Sequence, residues 1–146
     1  MSKKVFLIFS VLLLGVFGFL YFFYPSLEFQ KIKIKDIELL VEIKETQEER
    51  VRGFSGRKNL PQNQGMLFVF EKLDYHSFWM KDMHFSLDFI WIRDDVIVEI
   101  TKNVKPEDYQ PPNILTPLKR INKVLEVNAG FVEKNNIKVG DKIKFN

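Results

Sequence analysis

Along most of this chain, hydrophobic residues come in short runs of four to eight, alternating with polar ones and broken by charged or glycine-containing turns. A period of two marks strands with one buried face, and runs this short do not make helices. Ile32 and Ile34 alternate with Lys31, Lys33 and Lys35. Ile37, Leu39, Val41 and Ile43 then alternate with polar residues, apart from Leu40. These pieces read as two strands or one bent strand. Further strands are predicted at about 66–70, 77–81, 85–92, 96–101, 123–128 and 142–145, with Arg93-Asp94-Asp95 as a tight hairpin turn. Thr46-Gln47-Glu48-Glu49 is a capping-box pattern, so a short helix should run to about Gly53. Residues 59–65 are turn-rich, and residues 102–117 hold four prolines and little periodicity, which predicts an ordered crossing or an exposed loop. Residues 129–135 fit one turn of helix. Seven or eight short strands with one or two short helices predict a mainly β fold, a compact β-sandwich or barrel-like domain rather than a parallel α/β sheet.

The pattern changes only at the start. Val5 to Phe23 is a run of nineteen residues without a charge. As a helix it would span about 28 Å, close to the hydrocarbon thickness of a bilayer. Tyr21 and Tyr24 stand at its far end, and Pro25 stops it. A cleavable signal peptide is the rival reading. The run exceeds a signal peptide's apolar region, however, and its best cleavage candidate, Val16-Phe17-Gly18, lies inside that run. The expected organisation is a transmembrane helix over 1–24, a tether over 25–30 and one β domain over 31–146. Lys3 and Lys4 favour a cytoplasmic amino terminus, against Lys31, Lys33 and Lys35 on the other side. The domain is therefore expected to be membrane-anchored and extracytoplasmic.

Composition narrows the function classes. The net charge of +3 includes Lys3 and Lys4, so the rest of the chain carries twenty Lys/Arg (22 less those two) against nineteen Asp/Glu. Such balance gives no case for nucleic acid, which needs a basic stripe. Cysteine is absent, which excludes disulfides, thiolate metal sites, a cysteine nucleophile and a lipoprotein anchor.

Several segments carry a resemblance. Glu48-Glu49-Arg50, Arg52-Gly53-Phe54-Ser55-Gly56-Arg57, Leu60-Pro61 and Gly65-Met66-Leu67-Phe68-Val69-Phe70 come first. Ser77-Phe78-Trp79-Met80-Lys81-Asp82-Met83, Leu87-Asp88, Val124 to Gly130 and Val139-Gly140-Asp141 follow in order. Together, over about residues 35–145, they resemble the family called domain of unknown function 192, or uncharacterised protein family 0127. The resemblance implies a compact, mainly β, sandwich-like domain, often exported or membrane-tethered, and supplies no activity. Met83 departs from the family pattern, which often has a threonine there.

Candidate chemistry rests on charges set among apolar residues. Asp88 sits in FSLDFIWI and Glu126 in VLEVN, and a carboxylate within such strands is disfavoured unless paired. Arg52 and Arg57, beside the glycines after the first helix, are two-pronged partners of suitable geometry. Trp79 and Met80 point to opposite faces of a strand, so one of them can line a ligand site beside Asp82. Three readings follow. The first is a binding module for a small molecule, glycan or envelope protein, without a cofactor, using Arg52, Arg57, Trp79, Met80, Asp82, Asp88 and Glu126. The second is a hydrolase in which Asp88 and Glu126 stand about 5–10 Å apart across a cleft. The third is copper handling by Met66, Met80, Met83, His76 and His84, since thioether and imidazole suit that metal, although their spacing matches no ligand motif. The plain alternative to all three is a structural arginine–carboxylate network in a closed core.

Overall fold

The computed structural model describes residues 29–145. The expected anchor over 1–24 lies outside them. Among the described residues, no helix is long and apolar enough to cross a membrane.

The elements follow the alternation closely. β1 (Phe29–Ile34) and β2 (Ile37–Lys44) are two antiparallel strands, and Lys35, at φ 54°, makes the turn between them. α1 (Gln47–Arg52) starts on the predicted capping box. Glu49 N donates to Thr46 Oγ1 at 3.3 Å, and Thr46 N donates to Glu49 Oε2 at 3.0 Å. β3 (Gln64–Asp74), β4 (Leu87–Arg93), β5 (Val96–Val104), β6 (Ile121–Asn128), α2 (Phe131–Lys134) and β7 (Ile143–Phe145) complete the set, with a 3-10 turn at Pro106–Tyr109.

All seven strands belong to one sheet, in the order β5-β4-β6-β3-β2-β1-β7. Every neighbouring pair is antiparallel except β2–β3, which is parallel and joined through α1. The sheet curls until its edge strands touch. Val96 bridges Lys142, Ile97 N donates to Asp141 O at 2.9 Å, and Gly140 N donates to Ile97 O at 2.8 Å. The fold is thus a half-barrel formed by one rolled sheet, and the sandwich alternative, which needs two, does not occur.

Rolling gives the sheet two buried faces. The inner face draws apolar residues from all seven strands, including Ile32, Val41, Leu67, Ile90, Ile97, Leu125 and Ile143, and is plugged by Phe131 and Val132 of α2. The outer face of the central strands holds Met66, Phe68, Leu87, Phe89, Trp91 and Val124, covered by Phe54, Leu60, Met80 and Leu115 from loops. Burial on both sides explains why six consecutive residues of β4, Leu87 to Ile92, are buried.

One expected strand is absent. Residues 77–81 lie over the outer face as a loop, with a single bridge from Phe78 to Leu115. The proline-rich stretch after β5 holds that loop in place. Met80 N donates to Tyr109 O at 2.8 Å, and Gln110 Nε2 donates to Met80 O at 2.6 Å. An apolar alternation there serves as a lid on the core instead of joining a ladder.

Candidate functional site

Cross-strand register places Glu42, Met66, Glu126 and Phe89 in one row on the outer face, contributed by β2, β3, β6 and β4. Two carboxylates therefore flank Met66, about two strand spacings (~10 Å) apart. Their surroundings differ sharply.

Glu42 is neutralised. Arg57 forms a bidentate pair with it, one arm to Oε1 and the other to Oε2 at 2.8 Å, and Lys44 Nζ lies 3.1 Å from Oε2. Burial opposes the charged form of Glu42, but the hydrogen bonds and charges of Arg57 and Lys44 outweigh it and hold the carboxyl below its ordinary value.

Glu126 receives no such partner. Its residue is 5% exposed and its carboxyl forms no ion pair with a described residue; no side-chain polar atom among the described residues is sealed away without a partner, so the carboxyl opens onto the cavity it borders. Burial alone raises it to about 8. The carboxyl borders a cavity of about 230 Å³, walled by α1 and the turn after it, by β3 and by residues 77–83.

Local sequence builds these walls. Gly53, at φ 45°, turns the chain out of α1 so that Phe54 folds inward and is buried. The following turn is fastened to the opposite wall, since Ser55 Oγ donates to Lys81 O at 2.8 Å and Gly56 N to Asp82 O at 2.8 Å. Phe78 packs edge-on against Phe68 at 5.1 Å between ring centroids, and against Phe89 and Trp91 behind it. Arg50 lies over Phe70 and donates to the carbonyls of Glu45 and Val69, so its guanidinium is engaged in the wall.

The residues singled out in the sequence separate into three groups. Trp79, Met80 and Glu126 border the cavity, with Trp79 40% exposed and Met80 1% exposed, and Arg52 stands at its mouth. The Arg52 side chain is 77% exposed and pairs loosely with Glu48 at 3.7 Å. Asp82 is exposed in the turn fastened to Gly56 and does not line the cavity. Arg57 and Asp88 belong elsewhere. Arg57 serves Glu42, and Asp88 lies on the inner face, where Oδ1 accepts from Asn103 N at 2.9 Å and Oδ2 from Val132 N at 3.0 Å.

Two expectations are corrected by this placement. The arginines do not pair with Asp88 or Glu126: the turn after α1 brings Arg57 onto Glu42 of β2, and Arg52 pairs with Glu48. Asp88 and Glu126 project to opposite faces, Asp88 being paired with Val127 and Glu126 with Phe89, so they cannot face one cleft. The sulfurs proposed for copper do gather on the outer face. The imidazoles do not join them: His76 stacks on Phe70 and bonds Lys72 O at 2.9 Å, and His84 is exposed. Sequence reading missed Glu42, Phe54 and Phe68, while Phe78 belongs to the segment expected to line a site. Glu42 carried the same signal as Glu126, a lone carboxylate in an apolar strand.

Fold and site define a class: small β domains with a half-barrel sheet, a loop-covered outer face and a carboxyl without an ion pair bordering a cavity. The model of the DUF192 family, "Uncharacterized ACR", matches residues 30–145, and the chain belongs to that family. Two crystal structures share its fold. One, from Sinorhizobium meliloti 1021, is provisionally described as a transcription regulator. It is 26% identical with a TM-score of 0.76, over 84% of this chain and 97% of that one. The other, a protein of unknown function from Novosphingobium aromaticivorans DSM 12444, is 26% identical with a TM-score of 0.75, over 83% and 89%. No curated protein matches the sequence.

Proposed function

We propose that this is a non-catalytic binding module, tethered to the membrane by Val5 to Phe23 on the extracytoplasmic side, whose cavity over Glu126 takes a compact, largely apolar small molecule. The observation that carries the reading is Glu126 itself. A carboxyl set in an apolar strand beside a largely apolar cavity, with no ion-pair partner among the described residues, costs free energy, and a fold that needed only packing there would be served by an apolar side chain. The cost is recovered when a ligand satisfies the group. The apolar walls favour a small molecule over a glycan, whose many hydroxyls would be left without partners. The volume suits a fragment-sized group such as a benzyl ring, being somewhat below the range of about 300–1,000 Å³ usual for drug-sized ligands.

Methionine methyl signals test this directly. Met80 and Met83 border the cavity, and Met66 lies in the same cluster beneath it. Titration of the full chain with benzyl alcohol or benzylamine should shift the Met80 and Met83 methyl resonances saturably. Methyl signals that stay fixed with both probes would remove the cavity as a binding site.

A further inference from the structure

We infer that the cavity over Glu126 selects a cationic amine carrying a compact apolar or aromatic body. The inference rests on the cavity being a binding site and adds the charge of what it binds. Its first ground is the contrast between two carboxyls in the same row of the sheet. Lys44 and Arg57 pair with Glu42, whereas no cation among the described residues pairs with Glu126. A buried carboxylate is stable when paired, so Glu126 can ionise in place when a ligand brings the positive charge.

The second ground is the lining. Phe54, Phe68, Phe78 and Trp79 border the space that Glu126 faces. Aromatic rings attract an ammonium group through their quadrupoles, and more strongly once water is excluded. Rings with one carboxylate are therefore complementary to an amine with an apolar body. A carboxylate or phosphate would gain no ion pair from that carboxyl.

The surrounding charges leave that site to an incoming cation. On α1, Arg50 is held by the carbonyls of Glu45 and Val69, and the Arg52 head group lies in solvent beside Glu48. Across β3, the Glu42 carboxylate is neutralised by Arg57 and Lys44. Residues 77–83 add the exposed Lys81 and Asp82. β4 turns Asp88 to the inner face, and Glu99 of β5 accepts from Leu118 N at 2.8 Å. None of these forms an ion pair with Glu126.

Binding of a cation requires the ionised carboxyl, and burial holds Glu126 protonated up to about 8. Cation affinity should therefore rise about tenfold per pH unit below that value and then level off. A neutral ligand would show no such rise.

The test compares benzylammonium with benzyl alcohol on the full chain by calorimetry, from about pH 6 to about pH 8.5, where benzylamine stays largely protonated. Expected is an affinity for benzylammonium that climbs roughly fiftyfold or more across the range, with a flat profile for benzyl alcohol. In Glu126→Gln the climb should vanish, because no carboxylate remains to ionise. Benzyl alcohol binding as tightly as benzylammonium at every pH would overturn the amine inference and leave the cavity as a binding site. Failure of both probes to bind would overturn both.

Discussion

At the scale of single residues, the protein handles two similar side chains in opposite ways. Glu42 and Glu126 each interrupt an apolar strand, face the same side of the sheet and neighbour Met66. One is ionised in a three-charge cluster, and the other is kept protonated by burial. This has a consequence for stability. Native Glu126 holds its proton up to about 8, whereas the unfolded chain releases it near the ordinary value of 4.5. Between those values the native state binds more protons, so stability must fall as pH rises. The contribution is complete below about 4.5 and lost by about 8, on the order of 3–5 kcal/mol in total. Glu126→Gln, which cannot ionise, should lose that slope. Denaturant unfolding of both proteins at several pH values measures it, and parallel profiles would show a carboxyl with no raised affinity for protons.

Among the elements, Asp88 works as a joint. Its two oxygens tie β4 to Asn103 near the end of β5 and to Val132 in the first turn of α2. An amide there offers one acceptor and sets its NH₂ against a backbone N–H. Asp88→Asn should therefore cost about 2–3 kcal/mol, the worth of a hydrogen bond to a charged group plus an unmet donor. The Met80 and Met83 responses to benzylamine should survive. Unchanged stability with lost binding would instead place Asp88 in the ligand site. Local signals in the sequence proved readable at this scale. The capping box of α1, the Asp94-Asp95 hairpin turn and the alternation of β1 and β2 all depend on neighbours within a few residues. The alternation at 77–81 misled because an aromatic lid and a strand share a pattern until the backbone partner is known. Pairings between distant segments were not readable either. Arg57 meets Glu42 only because β2 and β3 run parallel through α1, and nothing in the order of residues announces that register.

Over the whole molecule, a single sheet closing on itself explains both the mainly β composition and the two cores. It also explains why the carboxylates singled out in the sequence separate. Adjacent β4 and β6 residues of opposite parity go to opposite sides, and each side is buried by different segments. Glu126 was legible as an anomaly, but its cavity was not, because four separate pieces of chain meet there. The proposed tether makes a claim of its own about placement. The protein has no cysteine, so Leu118→Cys, at an 85% exposed position, would introduce a unique thiol. A membrane-impermeant maleimide should label it in intact cells or, in a bacterium with an outer membrane, in spheroplasts. Labelling that appears only after lysis would put the domain on the cytoplasmic side.

The binding proposal depends most on the state of one carboxyl. Carbon-13 NMR of the glutamate side chains, with Glu126 assigned through Glu126→Gln, follows its protonation directly in the free protein. A midpoint of about 8 is the result expected of a group without an ion pair facing an apolar cavity. A midpoint near 4.5 would mean a solvated or paired carboxylate, leaving the cavity no unmet group for a ligand to satisfy.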